Sequence, residues 1–185
     1  MELKAEIMTE ADVMRSLARI AHEMIERDRG AEGMVLLGIR RRGLPLAGLL
    51  AGYIERFEGA RPPVGFIDVT RYRDDFPSPP AEGEAGLTHI PCDINGKCVV
   101  IVDDVIFTGR TARAAIEAVF AHGRPALIQL AVLVDRGHRE LPIRPDFVGK
   151  NIPTSRSERI CVTVRETDGV PLSVTLYAGD RSFTD

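Results

Sequence analysis

Val99-Val100-Ile101-Val102-Asp103-Asp104-Val105-Ile106-Phe107-Thr108-Gly109-Arg110-Thr111 decides the fold of this chain. Its first four residues are apolar β-formers without alternation, the pattern of a parallel strand buried on both faces. Two adjacent carboxylates, Asp103 and Asp104, follow at the strand's end, where open α/β sheets place their ligands. The segment then turns at Thr108-Gly109-Arg110-Thr111 into a helical pattern that runs through Ala118. Such a turn offers unpaired backbone N–H groups, two hydroxyls and a helix N-terminus, all suited to a phosphate. Carboxylates beside a phosphate cradle would repel the anion unless they hold something between them, such as ribose hydroxyls or a magnesium ion. A 5-phosphorylated ribose satisfies both halves. Solvated acids before a Thr-capped helix would account for any one piece, but not for all of them in this order.

Outward from this segment the chain alternates strands and helices. Thr9-Glu10-Ala11-Asp12 reads as the cap of a helix with apolar face Val13, Leu17, Ile20 and Met24, stopped by Gly30. Residues 34–39 read as a strand, 44–58 as a helix and 64–69 as another strand. Asn95-Gly96 forms the turn into the central strand, Gly123 ends the following helix, and 127–134 is another buried strand. Short strands around 160–165 and 173–177 flank a turn at Asp168-Gly169. The expected architecture is a parallel twisted sheet flanked by helices, with a small β-rich hood from the C-terminal segment. The segment 72–86 is rich in Pro, Gly and acids and too long for an ordinary connection, so a mobile lid over about 70–88 is expected.

The 185 residues suit a single domain, and 44% hydrophobic with 28% charged content excludes disorder and a membrane-embedded chain. The best apolar run, near residues 44–54, is short and broken by Gly48 and Gly52, and the N-terminus has no signal-peptide pattern. Cys92, Cys98 and Cys161 are odd in number and lack metal-type spacing, which points to a reducing cytoplasm. A net charge of −3 gives no global pull toward nucleic acid, so any such binding must come from a local patch.

Three further segments carry charge at strand ends. Gly38-Ile39-Arg40-Arg41-Arg42-Gly43 alone reads as a solvated basic turn, but beside a phosphorylated-ribose site a second strand-end loop carrying arginines suits further phosphate charge. Asp68-Val69-Thr70-Arg71-Tyr72-Arg73-Asp74-Asp75 opens the expected lid, which would exclude water from a reactive centre. Val134-Asp135-Arg136-Gly137-His138-Arg139-Glu140-Leu141-Pro142-Ile143-Arg144 follows the last long strand. Its His138 has no Ser, Cys or metal partner in the sequence, which argues against nucleophilic and zinc chemistry.

The 99–111 segment resembles the phosphoribosyl-diphosphate (PRPP) signature of type I phosphoribosyltransferases. The resemblance narrows with Ala18-Arg19-Ile20-Ala21-His22-Glu23-Met24-Ile25-Glu26-Arg27, with Tyr72-Arg73-Asp74-Asp75, and with the stretch from Gly123 through Arg144 to Gly149-Lys150-Asn151-Ile152-Pro153-Thr154-Ser155. Together these resemble the bacterial PyrR family over nearly the whole chain. The resemblance implies a type I phosphoribosyltransferase fold and two activities. One is control of a pyrimidine biosynthetic operon by uridine-nucleotide-dependent binding to its messenger RNA leader. The other is uracil phosphoribosyltransferase, in which uracil and PRPP, with Mg2+, give UMP and pyrophosphate.

Carried over residue by residue, the resemblance makes Asp103, Asp104 and Arg73 catalytic, with both carboxylates holding the ribose. Val105, Ile106, Phe107, Thr108, Gly109, Arg110 and Thr111 complete the phosphate loop. Arg41 and Arg42 lie at the pyrophosphate, while Arg136 and the backbone near Ile160 flank the nucleotide. The RNA face corresponds to Arg19, His22, Arg27, Arg139, Arg144 and Lys150. No metal ligand contributed directly by the protein is expected. UMP or UTP as effector and a homodimer or higher homo-oligomer are further implications. The chain departs from the family pattern at Ala18, Arg41, Arg71 and Phe107, none of which removes a carboxylate or the phosphate loop. The competing expectations are a salvage phosphoribosyltransferase without RNA function, and a catalytically weak nucleotide-sensing regulator.

Overall fold

A computed structural model of the chain describes residues 2–74 and 88–179. Most of the expected lid therefore lies outside the described residues. The elements run β1 (Glu2–Met8), α1 (Glu10–Asp28), β2 (Met34–Ile39), α2 (Gly43–Glu58), β3 (Val64–Ile67), a 3-10 turn (Thr70–Tyr72), β4 (Cys98–Ile106), α3 (Arg110–Phe120), β5 (Leu127–Asp135), β6 (Phe147–Asn151), β7 (Glu158–Thr163), α4 (Arg165–Asp168) and β8 (Ser173–Ala178). Five strands form a parallel sheet in the order β3-β2-β4-β5-β6.

Two apolar clusters fix the helices to opposite faces of this sheet. Strand alternation sends Val100 and Val102 toward α1 and α2, where they meet Leu17, Ile20, Met24, Leu46, Leu50 and Ile54. Val99 and Ile101 point the other way, onto Ala112, Ala115 and Val119 of α3. β2 is buried at every residue and β4 from Val99 to Val102, as the unbroken apolar runs require.

α1 starts with a complete capping box. Thr9 Oγ1 accepts from the backbone N–H of Asp12, and the Asp12 carboxylate accepts from Thr9 N–H at 3.0 Å. Such a cap is worth about 1 kcal/mol. The helix ends at Asp28, two residues before the expected glycine, because Arg29 itself takes the left-handed conformation (φ 58°) and Gly30 follows at φ 123°. The strand expected over 64–69 stops at Ile67, because the Asp68 carboxylate accepts from Thr70 N–H at 2.8 Å and turns the chain into the 3-10 turn.

The hood differs from the expectation. It is a three-stranded antiparallel sheet in the order β1-β8-β7, so the N-terminal strand contributes to it along with the C-terminal segment. Between β7 and β8, the expected turn is preceded by the short helix α4, capped by Gly169 at φ 71°. Among the described residues no helix is long and apolar enough to cross a membrane.

Candidate active site

The sheet order places a switch point between β2 and β4. From β2 the chain moves outward to β3 and then returns to the other side of β2 as β4. Connections leaving the two strand ends diverge there and open the crevice in which such sheets bind ligands. The loop after β2 and the Asp103–Asp104 pair both lie at this crevice. Gly43 makes their approach possible, since a Cβ there would stand 2.3 Å from the Val102 carbonyl oxygen.

Asp103 and Asp104 point to different sides because they are neighbours on an extended strand. Asp104 faces the field of Arg42 and Asp103 that of Arg73. Each carboxylate also accepts from the next backbone N–H, Asp103 from Asp104 and Asp104 from Val105, both at 2.9 Å. Burial and the repulsion of Asp104 push the Asp103 carboxyl well above the ordinary carboxylate range, and Arg73 opposes the shift only in part. Burial likewise raises Asp104, against the hydrogen bond from Asp103 and the charge of Arg42. A crowded acid pair of this kind gains from ligand hydroxyls or from any positive charge brought between its members.

Arg42 is held by the hood. Its Nε and Nη2 donate to both oxygens of Asp168 at 3.1 and 2.8 Å, and the same carboxylate accepts from Val164 N–H. Arg41 is exposed, and the Arg40–Arg41 peptide is cis. The phosphate loop runs from Val105 and Ile106 through Phe107, Thr108, Gly109 (φ 94°), Arg110 and Thr111 into α3. Arg110 N–H lies 3.4 Å from Thr108 Oγ1. The Arg110 side chain turns away from the loop, to Asp74 Oδ2 at 3.0 Å and Glu140 Oε2 at 2.9 Å.

The segment after β5 packs over this loop. Thr108 O accepts from the N–H groups of Glu140 and Leu141 at 2.9 and 3.1 Å. Arg136 is buried, with its guanidinium 4.1 Å from the Phe107 ring centroid and Nη2 donating to Glu158 O at 2.6 Å. Ile160 buries its side chain in the α1–α2 cluster, so only its main chain is available to a nucleotide. His138 Nε2 meets Thr154 O at 2.6 Å, which leaves no nucleophile to activate.

The residues expected on an RNA face divide into three settings. Arg19 Nη2 donates to Val148 O and Gly149 O at 2.9 and 2.8 Å, and Arg27 pairs with Asp146 at 2.9 Å. Lys150 of β6 reaches Ile7 O at 3.3 Å, and the exposed Arg144 precedes the same strand. Arg19, Arg27 and Lys150 thus lie along one α1–β6 strip, with Arg144 ahead of β6 in sequence. His22 instead faces α2, stacked on Phe57 at 3.7 Å. Arg139 is turned inward. It donates to Ile143 O at 2.9 Å and Phe107 O at 2.8 Å and pairs with Asp135, leaving 19% of its side chain exposed. The sequence reading missed Arg15 and Ser16, which line a concavity of about 360 Å3 with Arg19 and Lys150. The only sequence signal was the position of Arg15 one turn before Arg19 on the same helix face.

Residues 5–165 match the phosphoribosyl transferase domain family. The chain is 57% identical over 171 residues to the bifunctional protein PyrR of Chloroflexus aurantiacus, covering 92% of this chain and 94% of that one. It is 56% identical over 169 residues to the bifunctional protein PyrR of Thermus thermophilus, covering 91% and 93%. The chain belongs to the PyrR family. The fold extends beyond it, to the hypoxanthine phosphoribosyltransferase structure of Trypanosoma cruzi (TM-score 0.73, 19% identity, 96% of this chain and 98% of that one). The corresponding Staphylococcus aureus structure has a TM-score of 0.71 at 22% identity, covering 95% and 92%.

Proposed function

We propose that this chain is a uracil phosphoribosyltransferase that also binds the leader of a pyrimidine operon messenger RNA in a uridine-nucleotide-dependent way. One observation carries the catalytic half. The Asp103–Asp104 pair stands at the switch point, directly before a loop that leads into a helix N-terminus and beside Arg42. In this reading the backbone N–H groups of residues 108–111 take the 5-phosphate of PRPP, and the carboxylates take the ribose hydroxyls. Uracil N1 forms the bond to C1′ as the C1′–oxygen bond to pyrophosphate breaks, and the N1 proton leaves to solvent. Positive charge builds on the ribose in this step, and the two carboxylates stabilise it while Arg41, Arg42 and Arg73 offset the charge of the departing pyrophosphate.

The donor set fits a magnesium ion that arrives with PRPP. Asp103 and Asp104 offer hard carboxylate oxygens, the donor type such an ion takes. The ion supplies charge neutralisation to the pyrophosphate when bound.

The regulatory half is supported by the strip of Arg19, Arg27 and Lys150, with Arg144 ahead of β6 in sequence, a local basic surface on an acidic chain. His22 stands apart from it, stacked on Phe57 of α2. In keeping with the family resemblance, the protein acts in the cytoplasm as a homo-oligomer. Two measurements on purified protein test the reading: uracil-dependent pyrophosphate release from PRPP, and a gel shift of pyrimidine leader RNA with and without UMP. Both activities are expected. Turnover without RNA binding would leave a salvage enzyme, and RNA binding without turnover a sensing regulator. The absence of both would refute the site assignment.

A further inference from the structure

The first turn of α3 carries two arginines, Arg110 and Arg113, at a helix end where the dipole favours acidic side chains. Spaced three apart, they share a face, and that face meets the chain just after β3. Asp74 Oδ2 lies 3.0 Å from Arg110 Nη1, and Asp74 Oδ1 lies 3.6 Å from Arg113 Nη2. Arg113 Nη2 also donates to Tyr72 O at 2.8 Å, while the Tyr72 side chain packs on the α3 side of the sheet. The constraint on Arg113 is strong enough that its Nε is buried without a hydrogen-bond partner among the described residues. Residues 72 and 74 are thus both fastened to α3, and Arg73 between them is extended (φ −79°, ψ 139°). The backbone of Arg73 is therefore held on both sides by contacts to one helix.

We propose that Asp74 is a positioning residue: gripped by Arg110 and Arg113, it aims Arg73 away from α3 and toward the carboxylate pair at the end of β4. Burial and Asp104 push the Asp103 carboxyl well up, and Arg73 lies close enough to that pair for its charge to oppose the shift in part. α3 grows directly out of the phosphate loop, so the anchor of Arg73 and the cradle for the 5-phosphate belong to one rigid element. The inference rests on the phosphoribosyl-transfer reading and assigns a part of that site to Asp74, which itself touches no substrate.

The consequence is a selective defect. Loss of Asp74 leaves the carboxylates, the phosphate loop and the uracil side in place but removes one of the two backbone anchors flanking Arg73, so the PRPP side suffers most. Misplacing one positioned charge in this way costs about ten- to a hundredfold. The test is steady-state kinetics of Asp74→Asn, Asp74→Glu, Arg113→Gln and the Asp74→Asn/Arg113→Gln double variant, with melting temperatures as a control on folding. Asp74→Asn is expected to raise KM for PRPP and lower kcat, with KM for uracil unchanged and the melting temperature within a few degrees of wild type. Asp74→Glu should restore most of the loss, and the double variant should be no worse than the poorer single. The proposal falls if Asp74→Asn stays within twofold of wild type in both PRPP parameters, if KM for uracil rises equally, or if the two single effects multiply. A wild-type protein without turnover would overturn the phosphoribosyl-transfer reading itself, whereas an active wild type with an unimpaired Asp74→Asn removes the clamp alone.

Discussion

Replacing Arg139 by Gln separates two ways in which this residue could matter to RNA. Its sequence context suggests a surface cation, but its guanidinium is directed into the protein. It is paired with Asp135 and donates to the carbonyls of Phe107 and Ile143. Both partners of the ion pair are largely buried, at 19% and 17% side-chain exposure, so the small values typical of surface pairs do not apply. Breaking a fully buried pair costs about 3–5 kcal/mol. Here Asp135 keeps the N–H of Gly137 at 2.9 Å and some access to water, which reduces the loss to about 2–3 kcal/mol. For a chain of this size that lowers the melting temperature by roughly 5–10 °C. Releasing Phe107 O also loosens the phosphate loop, so KM for PRPP should rise. The logarithmic salt slope of RNA binding should stay unchanged, because every phosphate keeps its cation. Calorimetry, PRPP kinetics and RNA titrations across salt decide the matter. A variant with wild-type melting temperature and KM for PRPP, but a slope shallower by about one unit, would show that Arg139 touches RNA directly and that this reasoning is wrong.

Asp104→Asn should abolish pyrophosphate release while raising the melting temperature at neutral pH. Its carboxyl is shifted upward on folding, so the native state prefers the protonated form. The ionised group therefore costs stability at neutral pH, and this cost disappears as pH falls through the raised native value to the ordinary one of 3.8. The stabilisation by Asn should accordingly fade near pH 4, and equal gains at pH 4 and 7 in thermal melts would contradict the assigned environment. Arg144→Gln and Arg15→Gln should each weaken leader-RNA binding and reduce the salt slope by roughly one unit for each phosphate left without its cation, with turnover unchanged. Gel shifts at several salt concentrations read this directly, and wild-type affinity at every salt would remove the residue from the interface.

The central strands were legible because burial on both faces leaves a nearly continuous apolar run, as in β2, in β4 up to Val102, and in β5 from Leu130 to Val134. β1 was not legible, since Glu2, Lys4 and Glu6 leave it with little β-propensity and its partner β8 lies at the far end of the chain. β6 escaped for a related reason. Only Phe147 and Val148 are apolar there, and Gly149 occurs because a Cβ would stand 2.5 Å from the Leu133 carbonyl oxygen. Edge strands draw their stability from a neighbour that local pattern does not contain.

The candidate site divides along the same line. Asp103, Asp104 and the 108–111 loop are contiguous, so their chemistry was readable from residue order alone. The partners that set their electrostatics are not contiguous. Arg42 is held by Asp168, 126 residues away, and Arg110 and Arg113 meet Asp74 across 36 or more positions. Arg139 marks the limit most clearly. An arginine among Gly, His and Glu in a loop reads as solvated, because sequence shows its charge but not the two carbonyls and the carboxylate assembled around it. A buried cation needs such acceptors to offset its desolvation, and they come together only when the loop closes over Phe107. Residues that meet a ligand can declare themselves in a short motif, whereas residues that aim them depend on contacts between distant segments and become legible only once the chain is folded.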